Sequence, residues 1–140
     1  EAGSLSPESE AILAETRAAF DAVGSEFGAC HFRGALQEAL RLAQSANKYL
    51  DERAPWKAVK TDTAHAAETL ATALNVINAL KVMLHPVLPF STAQLHEDLR
   101  LGGDLREHGW EYRAVPAGTT LAPARPLYAK IEPEAAGASA

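Results

Sequence analysis

The feature that most constrains the fold is a long amphipathic pattern that stops abruptly at a proline. From Cys30 to Arg53, apolar residues recur at the spacing of one face of an α-helix. The members of this stripe are Phe32, Ala35, Leu36, Ala39, Leu42, Ala43, Ala46 and Leu50. Pro55 disfavours helical dihedral angles at Ala54 and lacks an amide donor, so the helix should end near Arg53. The chain must then turn and place Trp56 at one end of a helical bundle.

Three further helices are predicted from the same kind of pattern. The first should cover about residues 7–23, because capping and acidic residues precede the apolar spacing and Gly24 is a natural stop. Another should cover residues 63–84, and a short one residues 91–100, after two prolines and before two glycines. With the helix over 30–53, this predicts an all-α, antiparallel bundle of four main helices, of which 30–53 and 63–84 should be the longest.

The composition changes after Gly103 to glycine, proline and mixed polar residues without a helical period. Residues 104–132 should nevertheless form an ordered C-terminal extension that wraps the bundle, because they contain large apolar anchors. We expect three of these anchors to pack back on the helices: Trp110, Leu127 and Ile131. The domain should then span residues 1–134, and residues 135–140 should form a flexible tail.

Composition limits the class of protein. A chain of 140 residues with 47% hydrophobic content is long enough for one domain and too short for two. No apolar run approaches the length of a membrane span, and the acidic amino terminus is unlike a signal peptide, so a cytoplasmic protein is expected. The single cysteine, Cys30, cannot form an intrachain disulfide and should be a small buried side chain.

The Pro-Trp element leaves two functions open. If Trp56 is exposed beside Arg53, Lys57 and Lys60, it could stack an unpaired base while the cations hold phosphates. If the indole is buried, the chain could instead be a helical protein interaction or dimerisation module. The net charge of −5 argues against nucleic-acid binding over the whole surface, so an RNA site would have to be local.

Three motifs in order carry a resemblance to a known family. They are the run from Asn47 to Trp56, which contains Asn-x-Tyr, an acidic pair and Ala-Pro-Trp; the proline-broken junction Leu84–Ser91; and the closing segment Pro126–Glu132. Together they resemble the anticodon-binding helical domain of methionyl-tRNA synthetases. The junction alone is shared with other class I synthetases, such as those for valine, leucine and isoleucine, so the homologous domain of another class I synthetase is a further alternative.

The resemblance implies an anticodon site and a parent enzyme. The family's tryptophan stacks on an anticodon base, which here implies a site made by Trp56, Pro55, Asn47, Arg53 and Lys57. Asn47 could also serve to fix the geometry of the turn at Pro55 and Trp56, which we call the elbow. The expected partners are the CAU anticodon loop of tRNA and a missing catalytic domain, which would activate methionine with ATP and magnesium. The family also has a further helix upstream, and we expect this sequence to start too late to contain it.

Catalytic and metal-binding patterns are not found in the sequence. The five histidines are scattered without a pair on one helical face, so no metal site is predicted. Neither a glycine-rich phosphate loop nor the nucleotide-binding elements of class I synthetases occur. We therefore expect no cofactor in this chain, no catalytic residue and no activity of the chain alone.

Overall fold

The chain folds into a helical bundle in the computed structural model, which describes residues 5–131. The elements are α1 (Pro7–Gly28), α2 (Phe32–Arg53), α3 (Pro55–Ala58), α4 (Thr63–Leu84), α5 (Pro89–Asp98) and a 3-10 turn at Leu105–Glu107. No strand occurs within residues 5–131. The predicted all-α bundle of four main helices is confirmed, with α3 as a single additional turn.

The first helix is longer than the pattern suggested. It continues through Gly24 to Gly28 and, at 22 residues, equals α2 and α4, so the expectation that those two would be the longest was wrong. The stop lies at Cys30, which has a left-handed φ of 61°, while the amide of His31 donates to the Glu26 carbonyl at 2.8 Å. This is a Schellman ending with cysteine at the left-handed position. Cys30 is consequently exposed and not buried as predicted.

Proline also sets the start of the short helix α5. Pro89 occupies its first turn, where a missing amide donor costs nothing, so α5 begins two residues before the expected start at 91. It ends at Asp98, and Arg100 then adopts a left-handed φ of 51°. The chain leaves the helix here and enters the extension.

The core lies between α1, α2 and α4. Its buried side chains are mostly small or medium in size, which allows the three helices to approach closely. They include Ala19, Phe20 and Val23 of α1, Ala35, Ala39 and Leu42 of α2, and Val76, Ala79 and Met83 of α4. Helix α2 runs antiparallel to the other two, so the starts of α1 and α4 meet the end of α2 at one end of the bundle. Helix α3 lies at that end.

The extension packs across the helices through both aromatic and backbone contacts. The Trp110 ring lies 4.9 Å from that of Phe20 and 6.0 Å from that of Phe27, although 41% of its surface stays exposed. Leu127 is half-buried against α4 and α5. Ile131 is 84% exposed, so the prediction that it packs on the helices was wrong. Residues 132–140, including the predicted tail, lie outside the described residues, and the extent 1–134 stays a prediction.

Polar side chains of α4 hold the backbone of the extension. Asn78 donates to the Arg113 carbonyl at 2.7 Å, and Asn75 accepts from the Val115 amide at 2.8 Å. An asparagine inside a helix is unfavourable unless its amide has such a partner, so these two residues were a signal that the sequence contained.

A buried lysine joins this network. Lys81 is 2% exposed, and its ammonium donates to Asn78 Oδ1 at 2.7 Å and to His96 Nδ1 at 2.9 Å. His96 therefore carries its proton on Nε2, which donates to the Gly102 carbonyl at 2.9 Å. Burial lowers the pKa of Lys81 to about 8, and burial followed by the charge of Lys81 lowers that of His96. The cluster ties α4, α5 and the start of the extension together.

Two negative findings concern the described residues. None of the helices over residues 5–131 combines the length and the apolar character needed to cross a bilayer. The same residues contain no group of three or more His, Cys, Asp or Glu side chains placed to hold a metal ion.

Gly24 and Gly28 provide a matched test of how α1 meets the extension. A Cβ atom at Gly24 would lie 2.7 Å from Trp110 Nε1, whereas one at Gly28 would meet nothing within 4 Å. We expect Gly28→Ala to stabilise the chain by up to about 1 kcal/mol through helix propensity. Gly24→Ala should be about 1–3 kcal/mol worse than Gly28→Ala, because the indole must move.

Urea unfolding of both variants measures this difference, and tryptophan fluorescence reports whether Trp110 moves. Equal stabilities of the two alanine variants would show that Trp110 does not rest on α1 as described.

Lys81 should make stability depend on alkaline pH. Its folded pKa of about 8 is below the ordinary 10.5, so between these values the unfolded chain binds more protons and the free energy of unfolding rises with pH. Below pH 8 both states are charged and the burial cost is present in full. The unfolding free energy of the wild type minus that of Lys81→Met, measured from pH 7.5 to 9.5, should therefore increase as the pH rises.

Lys48→Met is the control, because Lys48 lies on the surface of α2 beside Glu52. A constant difference between the wild type and Lys81→Met over that pH range would contradict the lowered pKa.

Candidate nucleic-acid interface

The exposed tryptophan sits on a sharp elbow between α2 and α4. Ala54 has φ 42° and ψ 58°, a left-handed conformation that costs a residue with a side chain about 1–2 kcal/mol. Pro55 then starts α3, where its fixed φ suits the first helical position. Pro55 itself is buried, while Trp56 is 56% exposed. The elbow thus turns the indole outward on a single turn of helix.

The indole has cationic neighbours in the chain. Lys57 and Lys60 are both exposed, one beside Trp56 in α3 and one in the turn that follows. Val59, between them, is also exposed and adds apolar surface. An exposed aromatic ring with flanking ammonium groups can stack on a base and contact its phosphates.

Arg53 lies at the elbow but points into it. Its side chain is only 13% exposed. Its guanidinium donates to Thr69 Oγ1 at 3.3 Å and to Glu68 at 3.4 Å, and it lies 3.5 Å from the carboxylate of Glu8. These contacts hold the guanidinium between the starts of α1 and α4, so it is not free to follow a phosphate backbone.

Glu68 is the centre of a polar network under the elbow. Its carboxylate accepts from the amide of Ser6 at 3.0 Å and from the hydroxyls of Ser6 and Ser9. Ser9 is also hydrogen-bonded to the buried hydroxyl of Tyr49 at 2.8 Å. The hydrogen bonds from Ser6 and Ser9, with a smaller effect of the Arg53 charge, lower the pKa of Glu68 to about 2. The carboxylate is therefore ionised at neutral pH and joins the ends of all three long helices.

His65 holds the elbow from the other side. Its Nε2 lies 2.9 Å from the Arg53 carbonyl, to which it donates. The start of α4 is capped by Asp62, which accepts from the His65 amide at 3.0 Å. His65 was not predicted as a site residue, because nothing in its local sequence relates it to Arg53.

The predicted site residues thus occupy different positions. Trp56 and Lys57 lie exposed at the elbow, and Pro55 and Arg53 lie beneath it. Asn47 is exposed on α2, about two helical turns before the elbow. Of the two functions left open by the sequence, the interaction module required a buried indole, and the exposure of Trp56 favours the RNA site.

Comparisons with known proteins point in the same direction. A family model described as the anticodon binding domain of methionyl tRNA ligase matches residues 1–138. The methionine–tRNA ligase of Dehalococcoides mccartyi is 42% identical over 103 residues, which cover 74% of this chain and 19% of that protein. That of Thermomicrobium roseum is 35% identical over 94% of this chain and 27% of its own length. The chain spans less than a third of the length of these curated relatives.

Solved structures agree on the fold. Mycobacterium tuberculosis methionyl-tRNA synthetase bound by methionyl-adenylate matches with a TM-score of 0.85 at 22% identity, over 92% of this chain and 26% of that one. Its free form matches with a TM-score of 0.81. The family match covers nearly the whole sequence and separates the methionyl type from other class I synthetases. The chain belongs to the family of anticodon-binding domains of methionyl-tRNA ligases.

Proposed function

We propose that this chain binds the CAU anticodon loop of tRNA on behalf of a methionine–tRNA ligase. The observation that carries the proposal is the exposure of 56% of the Trp56 surface on a braced elbow. Burial of a large aromatic side chain is favourable, and stacking on an RNA base would bury the exposed part of this one. Recognition of an unpaired loop by stacking and by contacts to base edges is the usual way in which proteins read single-stranded RNA.

The five predicted site residues would have separate roles. Trp56 would stack on an anticodon base, and Lys57 would contact a neighbouring phosphate. Pro55 and Arg53 would shape the elbow, since the one is buried and the other is bonded to α4. Asn47 would contact RNA only at the outer edge of the site, through its exposed amide.

The parent enzyme would supply the chemistry. We propose that a catalytic domain outside this chain activates methionine with ATP and magnesium and transfers it to the tRNA, in the cytoplasm. The relatives named above are methionine–tRNA ligases of more than three times this length, which supports such an arrangement. This chain would contribute recognition alone.

Trp56→Ala should separate recognition from chemistry. Loss of a base-stacking contact is worth about 1–3 kcal/mol, so the Kd of the chain for a CAU anticodon stem-loop should rise about five- to 150-fold. In a full-length ligase that carries this domain, aminoacylation of tRNA should fall while methionine-dependent ATP–pyrophosphate exchange stays nearly unchanged. Trp110→Phe is the matched control, because it alters the other indole, which packs on α1.

Lys57→Ala tests the electrostatic contribution to stem-loop binding. It should weaken stem-loop binding less than Trp56→Ala does. It should also reduce the slope of log Kd against log salt concentration by about one, which corresponds to the loss of one phosphate contact.

Equal loss of both ligase activities in Trp56→Ala would indicate a folding defect. An unchanged Kd in Trp56→Ala would mean that this elbow does not bind the anticodon.

A further inference from the structure

We propose that His65 is a positioning residue for anticodon binding, which holds the Arg53 carbonyl and so fixes the elbow that presents Trp56. The proposal rests on the proposed function, because it concerns how the same site is kept ready for RNA. His65 does not need to touch RNA for this role. It would act through three consecutive backbone positions, from Arg53 to Pro55.

The Arg53 carbonyl lacks the partner that a continuing helix would give it. In an uninterrupted helix it would accept from the amide of Lys57, but that amide donates to the Ala54 carbonyl at 2.9 Å. Pro55 has no amide to offer. A helix-end carbonyl without a partner is unfavourable in a half-buried setting, and His65 Nε2 satisfies it at 2.9 Å.

The same turn of α4 also holds the Arg53 side chain. Thr69 accepts from Arg53 Nε at 3.3 Å, and its hydroxyl donates to the His65 carbonyl at 2.8 Å. Glu68 pairs with the guanidinium at 3.4 Å. Arg53 is therefore fixed at its carbonyl and at its guanidinium by residues 65–69, which leaves little freedom to the residue that enters the elbow.

The energies explain why one hydrogen bond matters here. The left-handed backbone of Ala54 is unfavourable for a residue with a side chain, by a free energy comparable to that of one hydrogen bond. Loss of the His65 donor should therefore let the elbow populate other conformations. Binding would then include the cost of ordering the elbow, which preorganisation avoids.

The test compares two amide side chains at position 65. Glutamine places its amide nitrogen about as far from the backbone as imidazole Nε2, whereas asparagine is one methylene shorter and cannot reach the Arg53 carbonyl. Both variants are made in the 140-residue chain with Trp110→Phe, so that Trp56 is the remaining indole. The matched control is His31→Asn, at the opposite end of α2.

Two quantities are measured: the time-resolved fluorescence anisotropy of Trp56 without RNA, and the Kd for a CAU anticodon stem-loop. His65→Asn should give a faster local decay of the anisotropy and a Kd raised about fivefold, the equivalent of one hydrogen bond. His65→Gln should restore both quantities to within about twofold of the parent. His31→Asn should change neither.

The outcomes separate this proposal from the proposed function. If Trp56→Ala leaves the Kd unchanged, the proposed function fails, whereas the anisotropy still reports whether His65 fixes the elbow. If Trp56→Ala weakens binding but His65→Asn and His65→Gln behave alike in both measurements, the positioning role is overturned. A raised Kd with an unchanged anisotropy would overturn it as well.

A second measurement applies if far-UV circular dichroism shows that His65→Asn unfolds. In the parent chain, ¹⁵N NMR should then find a ring proton on His65 Nε2 that exchanges slowly with water. Rapid exchange of that proton would show that the hydrogen bond to Arg53 is not maintained, and would overturn the proposal.

Discussion

The left-handed backbone of Ala54 is the constraint on which the Trp56 end of the bundle depends. It allows the chain to leave α2 and start α3 within one residue, and Pro55 prevents α2 from continuing through it. A residue with a side chain adopts this conformation only where the surroundings compensate for its cost. The first two turns of α4 provide that compensation through His65, Glu68 and Thr69. Polar contacts around Arg53 therefore contribute to stability at this end.

The opposite end of the bundle uses a similar arrangement with different residues. The extension has no regular hydrogen-bonded structure over most of its length, so its backbone groups need partners elsewhere. Asn75, Asn78 and His96 provide them, and Lys81 in turn donates to Asn78 and His96. Helix α4 thus carries two groups of polar side chains. One lies near its start and binds Arg53, and the other lies in its second half and binds the extension. Apolar periodicity alone predicts neither of these, although Asn75 and Asn78 inside the helix are a sign of the second.

Much of the fold could be predicted from the sequence, because apolar spacing and prolines act locally. The helix over 63–84 and the proline stop before Trp56 are of this kind. Gly24 was misread as a stop because a close approach of Trp110, 86 residues later in the chain, requires a glycine there just as a helix end would. The exposure of Cys30 depends on a left-handed turn that usually carries glycine. At the site, Trp56 and Lys57 could be named from a motif, but the bonding of Arg53 to α4 is a tertiary contact that no local pattern contains.

The bonding of Arg53 also bears on how this end of the bundle can attract RNA. Its guanidinium lies among Glu8 and Glu68, so its charge is largely compensated within the protein. The positive potential available to a phosphate then comes mainly from Lys57 and Lys60, on a chain of net charge −5. Few counterions can be released by so few cations, which keeps the electrostatic share of the binding energy small. Under the proposed function, recognition would therefore rest on the stacking of an ordered indole, so the rigidity of the elbow would matter more than the number of basic residues.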